Sequence, residues 1–347
     1  MNILEDTGLY KLQRRDTHPI IITSQSYLCF LVVRNEMLRL PFIFEYYRKT
    51  GITNFFVVDN DSQDNTLNYL LQQPDVHVWH TAQHFDHKLN WLTSLLQKYA
   101  LGRWSLIIDA DEILYYPDCE EQSIPQLCHH LDKQGKNALQ VVMLDMYSDK
   151  PVVATNYQPG EDFLGSCSFF ERQFFHHREG VSHNYYWGGL RQRVFATSNQ
   201  DKKKLYCLTK FPLIKYNSQM KLYSSHMINN IQVSSTTGCL LHFKYFSSFL
   251  DYVQEEITRE QHWQGASEYK EYAKIIRNQN NFTLYDPADS LKLESSQQLI
   301  DLGIMKRGVA TKNIPDFLVV CLEFGYDLIK KMVNLLRNKL LARFFSR

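Results

Sequence analysis

Residues 27–59 read YLCFLVVRNEMLRLPFIFEYYRKTGITNFFVVD and hold one complete strand–helix–strand unit. The run 27–33 is continuously apolar, the pattern of a strand covered on both faces. Pro41 stands where a first helical turn tolerates a missing N–H, and Gly51 stands where a helix ends. NFFVVD, 54–59, predicts the second strand. The unit then repeats. DSQDNTLNYLLQQ predicts a helix with Asp61 or Ser62 as N-cap and Leu67, Leu70 and Leu71 on its apolar face, ending before Pro74. VHVW, 76–79, predicts a third strand. Residues 88–101 carry Leu89, Leu92, Leu95, Leu96 and Tyr99 at helical spacing, and WSLIID follows as a fourth strand. Strands joined in this way predict an α/β fold with a mostly parallel sheet and helices on both faces. Such sheets bind ligands beyond the carboxyl ends of their strands.

Those ends are where the chain turns polar: Arg34-Asn35-Glu36, Asp59-Asn60-Asp61 and Asp109-Ala110-Asp111-Glu112. The last places three carboxylates in four residues. Two carboxylates about 4 Å apart repel by roughly 4 kcal/mol near a protein surface, so such a cluster must be spread apart, protonated or neutralised. A solvated turn whose carboxylates cap a helix is the plainest account. A calcium loop of the EF-hand type is excluded, because Ile113 and Leu114 occupy the positions of a ligand and of the required Gly. A glycosidase pair needs carboxyls roughly 5 to 10 Å apart on different elements. A hard-cation site for Mg²⁺ or Mn²⁺ needs only one or two carboxylates, with substrate phosphates and water filling the other positions.

Composition narrows the class further. The chain has 347 residues, 44% of them hydrophobic, enough for two domains or one large one with additions. Its 38 Lys and Arg against 37 Asp and Glu leave a net charge of +1, which gives no field for DNA or RNA; no nucleic-acid partner is expected. Seven cysteines without a C-x-x-C pair offer neither a zinc ribbon nor a thioredoxin motif. The N-terminus is charged where a signal peptide needs an apolar centre, and no run of 18 apolar residues occurs, so a cytoplasmic location is expected. Farther along, 138–146, GGLRQRVFA (188–196) and CLLHF (239–243) predict further strands. Helices resume near Ser248.

The phrases CFLVVRNEMLRLP, VVDNDSQDNT and GRWSLIIDADEILYYP together resemble the family 2-like glycosyltransferases of the GT-A fold, in particular a bacterial subgroup marked by R-N-E, D-N-x-S-x-D and D-A-D-E. The likeness continues through MYSDKP, YQPGED, GGLRQRVF, KFPLIKYN and LLHFKYFSSF, from about Tyr27 to Leu302. It implies a metal-dependent enzyme that moves a sugar from a nucleotide-sugar donor, a UDP-sugar by expectation, to a glycan or lipid-linked acceptor in surface polysaccharide synthesis. It implies Asp111 as a direct ligand of Mn²⁺ or Mg²⁺. Asp109 would contact the metal through water or the ribose, and His242 would be a further ligand. For a lone His on an apolar strand, a satisfied core residue is the ordinary alternative. Asp59 would bind base or ribose, with Asn60 and Asp61 beside it and Arg34, Asn35 and Glu36 lining the other wall. Lys88 would offset phosphate charge, with Lys244, Arg191 and Arg193 as further diphosphate partners. His226 and His262 could line the acceptor pocket. A general base for an inverting reaction would be Glu171, or else Asp145, Asp162 or Glu179.

The domains expected are an N-terminal extension (1–26), a GT-A catalytic domain (27–247), a helical completion of the acceptor side (248–313) and a basic amphipathic helix (314–347). From Gly325 onward that helix has six basic residues to one acid, with apolar positions between them, a pattern that suits an anionic membrane surface as well as docking on the domain. Two rival functions share parts of this pattern. A sugar nucleotidyltransferase would use the same sheet but needs a Gly-rich phosphate loop where this chain has VVRNEMLRLP. A non-catalytic carbohydrate-binding or scaffold protein would have no need of the acidic motif.

Overall fold

The computed structural model describes residues 12–172, 175–179, 184–196, 206–224, 226–261, 263–276 and 281–308. The tail 314–347 and His262 lie outside the described residues, as does the side chain of Glu179. The main compact body of the chain extends to Gly308.

Among the described residues, nine strands form one sheet: β1 (Gln13–Arg14), β2 (Leu28–Val33), β3 (Asn54–Asp59), β4 (Val76–His80), β5 (Trp104–Ile107), β6 (Glu112–Tyr115), β7 (Ala138–Asp145), β8 (Thr209–Lys215) and β9 (Val233–His242). Their order is β1-β4-β3-β2-β5-β8-β7-β9-β6. Six of the nine run the same way, and only β1, β8 and β6 are reversed.

Successive side chains of a strand face opposite sides, and β2 divides accordingly. Cys29, Leu31 and Val33 pack with α1 (Leu40–Lys49), with Leu70 of α2 (Thr66–Leu71) and with a later helix, α4 (Ile124–Lys133). Leu28, Phe30 and Val32 pack with Trp91, Leu92, Leu95 and Leu96 of α3 (Lys88–Tyr99). The unbroken apolar run is thus a strand with a helical layer on each side. In α1 the buried residues Leu40, Ile43, Phe44 and Tyr47 form one helical stripe, Pro41 sits in its first turn, and Gly51 follows at φ +103°. A β-carbon at Gly51 would lie 2.6 Å from Pro125 Cδ, so the backbone conformation and the close approach of α4 both require glycine.

The second half of the body adds α5 (Phe163–Ser166), α6 (Leu190–Phe195), α7 (Phe249–Arg259), α8 (Trp263–Ile276) and α9 (Ser296–Asp301). An aromatic-rich third cluster joins Tyr147, Leu190 and Phe195 to Phe249, Val253 and Tyr272, and so fixes α6, α7 and α8 against one end of the sheet.

Two expectations are corrected. GGLRQRVFA is not a strand: Gly188 ends a preceding strand, Asn184–Gly188, both glycines adopt positive φ (+111° and +71°), and Gly189 is the N-cap of the short helix α6. A six-residue apolar-polar run is ambiguous between strand and helix, and the paired glycines decide it. Neither Asp61 nor Ser62 caps α2. Asp61 lies at φ +57°, the helix starts at Thr66, and the Thr66 N–H donates to Asp64 Oδ1 at 2.8 Å.

The sheet register positions the site. Val33 pairs with Asp59 and Asp59 with His80; His242 pairs with both Asp145 and Glu112. The carboxyl ends of six strands and the start of β6 therefore lie along one edge.

Candidate functional site

A cleft of about 450 Å³ opens along this edge. The loop between β5 and β6 supplies Asp109, Asp111 and Glu112, the end of β9 and the residues after it supply His242 and Lys244, and Tyr252 and Tyr269 close one side. The acidic loop is tied to β9 by the Phe243 N–H, which donates to the Asp111 carbonyl at 2.8 Å.

The three carboxylates of the loop are separated and individually compensated. Asp109 receives Lys88 on Oδ1 and Lys210 on Oδ2, the latter at 3.3 Å. Burial alone would raise its carboxyl, but the two lysines hold it well below the usual range. Glu112 turns inward, almost fully buried, where Oε1 accepts from Lys210 and Oε2 accepts the Asp109 N–H at 3.0 Å. Burial raises its carboxyl, as do Asp109 and Asp111 nearby. It supports the loop.

Asp111 is different. Its Oδ2 lies 3.2 Å from His242 Nε2, while His242 Nδ1 lies 2.6 Å from Asp145 Oδ1. Asp145 is itself fixed by Arg191 Nε, which donates to Oδ2 at 3.0 Å. Burial disfavours a charged imidazole, but Asp111 and Asp145 outweigh it and raise His242 to about 9, so a proton holds the two carboxylates together. An imidazole oriented through one nitrogen by a carboxylate, with the other nitrogen beside a second carboxylate, is the donor arrangement of an oriented metal ligand. Among the described residues no group of three or more His, Cys, Asp or Glu side chains is arranged around a common point. Asp111 and His242 are the donors at this edge that could hold a divalent cation, with water and phosphate oxygens as its remaining ligands. Binding it would release the His242 proton.

Of the residues singled out in the sequence, the cleft lining gathers Arg34, Glu36, Lys88, Asp109, Asp111, Arg191, His242 and Lys244, with His226 as well. Lys88 and Lys210 each pair with one oxygen of Asp109. Glu36 accepts from Arg39 at 3.0 Å; burial lifts its carboxyl to about 7, and Asp111 and Asp109 contribute to the shift.

Asn35, Asp59, Asn60, Asp61, Asp145 and Glu171 do not line the cleft. Asn35 ties loops together, donating to Glu255 Oε1 at 2.9 Å and accepting from the Gln63 N–H at 2.7 Å. Asp59 is fully buried with Oδ2 3.0 Å from His80 Nδ1, and Asn60 donates to the carbonyls of Thr81 and Gln83. Their other oxygens, Asp59 Oδ1 and Asn60 Oδ1, are buried without a hydrogen-bond partner. Asp61 is half-exposed beside Arg34 at 3.8 Å. Asp162 caps α5 through the Leu164 N–H.

Two of the expected general bases are engaged in ion pairs. Glu171 lies on a short strand, Phe169–Glu171, paired with Ser290–Lys292, and both its oxygens accept from Arg193 Nε at 3.0 and 2.9 Å. Burial raises its carboxyl to about 7, and it is not among the residues that line the cleft. Asp145 has one oxygen on Arg191 and the other on His242. The sequence reading missed Lys210, within the quoted KFPLIKYN, because a lysine on a strand gives no local sign of what it faces. Glu256 and Glu268 were missed for the same reason; the polar face of an amphipathic helix is ordinarily solvated.

No protein-family model matches the chain, and no curated protein matches it. Among solved structures it is similar to a 4-diphosphocytidyl-2C-methyl-D-erythritol synthase, at 11% identity over 77% of this chain and 95% of the other, with a TM-score of 0.28. It is also similar to a protein from Bacillus anthracis described as a glucose-1-phosphate thymidylyltransferase in complex with sucrose, at 10% identity over 82% and 98% of the two chains, again with a TM-score of 0.28.

Proposed function

We propose that the chain is a transferase that moves a sugar from a nucleotide-sugar donor, a UDP-sugar by preference, to a glycan or lipid-linked glycan. The observation that carries this reading is the Asp145–His242–Asp111 chain at the ligand-binding edge of the sheet. Asp111 and His242 would hold Mg²⁺ or Mn²⁺, which supplies neutralisation of the negative charge that grows on a departing nucleoside diphosphate. Asp145 keeps the His242 ring facing Asp111. Lys88 and Lys210 pair with Asp109 and Glu112, whereas Asp111 is paired with His242. The buried, unpartnered oxygens of Asp59 and Asn60 lie at the neighbouring strand end, and a base or ribose donor could reach them after a local shift.

Nucleotidyl transfer is the second reading, and the two can be told apart by what they consume. A glycosyltransferase releases nucleoside diphosphate from a nucleotide sugar; a nucleotidyltransferase releases pyrophosphate from a nucleoside triphosphate and a sugar phosphate. The loop after β2 favours the first, since it has no glycine to wrap a triphosphate and its αL position is taken by Asn35 at φ +53°. A thermal-shift series with nucleotide sugars, with and without Mn²⁺, tests the proposal, followed by assay of the released phosphate species. Metal-dependent stabilisation by a nucleotide sugar is expected. If no nucleotide stabilises the protein in a metal-dependent way, the reading fails. Contact of the basic tail with anionic membrane belongs to the same proposal: liposomes containing anionic lipid should float the full chain and leave behind a chain ended near Asn313, and equal behaviour of the two removes the membrane from the reading.

A further inference from the structure

A side pocket of about 40 Å³ adjoins the cleft at Asp109. The residues that line both spaces are mainly charged, Lys88, Asp109, Glu112 and Lys210 among them. Those that line the pocket and not the cleft are Leu92, Ile107, Ile108, Phe211, Pro212, Leu222 and Ile228, every one apolar. The pocket is therefore charged where it meets the cleft and apolar beyond.

An irregularity of the sheet makes this space. Among the described residues β8 pairs with β5 only through Leu213, Ile214 and Lys215, and its register on β7 shifts between Lys210 and Leu213. A bulge of this kind bends a strand and re-aims its side chains. Past Leu213 the ladder between β5 and β8 ends, leaving Ile107 and Ile108 on one side of the pocket and Phe211 and Pro212 on the other. Pro212 has no N–H, so the interrupted ladder leaves no unpaired donor at that position. Leu89 and Leu92 of α3 add one wall, and the paired strands Leu222–Ser224 and Met227–Ile228 add another.

A space of this size takes a water molecule or a methyl group but not a sugar ring. A buried water needs two to four polar partners, and the inner lining has no polar side chain. The charged groups at the mouth bind one another: Lys88 pairs with Asp109, and Lys210 pairs with Asp109 and Glu112. A methyl group loses nothing by entering and gains by leaving water. Asp109, at the mouth, stands two residues from Asp111 on the same loop, which puts the pocket beside a sugar whose diphosphate lies at Asp111 and His242.

We infer that this pocket receives a methyl group carried by the transferred sugar, and that Ile228 helps to set that specificity. The donor is then an acetamido or a 6-deoxy sugar rather than a fully hydroxylated hexose. The inference rests on the proposed nucleotide-sugar chemistry and narrows it. The methyl group belongs either to an acetamido substituent or to C6 of the sugar, and the probes separate these.

Calorimetry in the presence of Mn²⁺ compares UDP, UDP-glucose, UDP-N-acetylglucosamine and UDP-6-deoxyglucose on the full chain. The same series is run on Ile228→Phe and Ile228→Met, whose longer side chains fill the pocket, and on Ile228→Val, which keeps it open. Melting curves verify folding, and two filling variants free the test from the fate of either one. One methyl group in an apolar pocket discriminates by roughly ten- to two-hundredfold. A methyl-bearing donor should therefore bind the wild type about tenfold or more tightly than UDP-glucose. The filling variants should lose that preference with UDP affinity unchanged, and Ile228→Val should keep it. Preference for UDP-N-acetylglucosamine assigns the acetamido methyl; preference for UDP-6-deoxyglucose assigns the C6 methyl. If the three sugar nucleotides bind the wild type alike, or the preference survives in a folded filling variant, the inference is overturned while UDP binding upholds the nucleotide reading. If UDP itself does not bind, the nucleotide reading fails and the inference falls with it.

Discussion

Asp111 and His242 come from distant parts of the chain and meet within 3.2 Å, with Asp145 fixing the ring between them. Asp111→Asn should abolish Mn²⁺-dependent stabilisation by a nucleotide sugar in thermal-shift assays while leaving the metal-free melting temperature within a few degrees. Asp145→Asn leaves both direct donors in place but releases the imidazole, and an outer carboxylate of this kind changes metal affinity by about ten- to a hundredfold; titration of Mn²⁺ into the variant measures it. His226 gives a pH signature. Its Nδ1 donates to the Thr209 carbonyl at 2.9 Å, and burial, with Lys210 nearby, lowers the imidazole to about 4. The unfolded chain takes up that proton near pH 6.5 and the folded chain does not, so this residue makes stability fall as pH drops from about 6.5 to 4, by at most about 1.4 kcal/mol per unit. His226→Gln should flatten the fall in urea midpoint between pH 7 and pH 5 relative to wild type; parallel curves would remove His226 as the cause.

At the scale of elements, β9 carries the site and depends on one glycine. A β-carbon at Gly238 would lie 2.6 Å from the Tyr115 carbonyl on β6, which cannot move without breaking the ladder. Gly238→Ala should therefore cost about 1–3 kcal/mol by overpacking, and it should weaken nucleotide binding too, because β9 aligns His242 with Asp145. Denaturant unfolding and the thermal-shift assay read the two effects. At the other edge, β1 is only two residues long and is held by Asp16, whose buried carboxylate accepts from Arg14, from the His18 N–H at 3.0 Å and from the Val78 N–H at 2.7 Å. Burial opposes its ionisation, but the His77 ring 3.7 Å away, the Arg14 guanidinium and the Val78 N–H hold the carboxyl far below the usual range. Asp16→Ala leaves those buried donors unpaired and should cost about 3 kcal/mol in denaturant unfolding.

Across the whole molecule, the body to Gly308 closes on itself through Met305, which is buried, and through Lys306, whose carbonyl accepts the Thr237 N–H at 3.0 Å. A chain ended after Gly308 should melt cooperatively near the full-length temperature, whereas one ended after Ile304 should lose about 2–3 kcal/mol with that side chain and bridge. The sequence by itself determined the strand–helix alternation from β2 to β5 and the polar strand ends. The D-A-D-E loop was legible as an acidic strand end, and its residues line the cleft. Apolar periodicity, Pro41 and Gly51 are local properties of the chain, and they survive into the fold because burial on both sheet faces rewards the same pattern. Tertiary structure alone decided how the site is wired. Asp59 and Asn60 were drawn under the edge, Glu171 was taken by Arg193, and Lys210 was brought onto Asp109 and Glu112. Asp145, read as a base, became the support of His242. The charge of a carboxylate is written in the sequence; the cation that balances it belongs to another strand, and only the register of the folded sheet sets that distance.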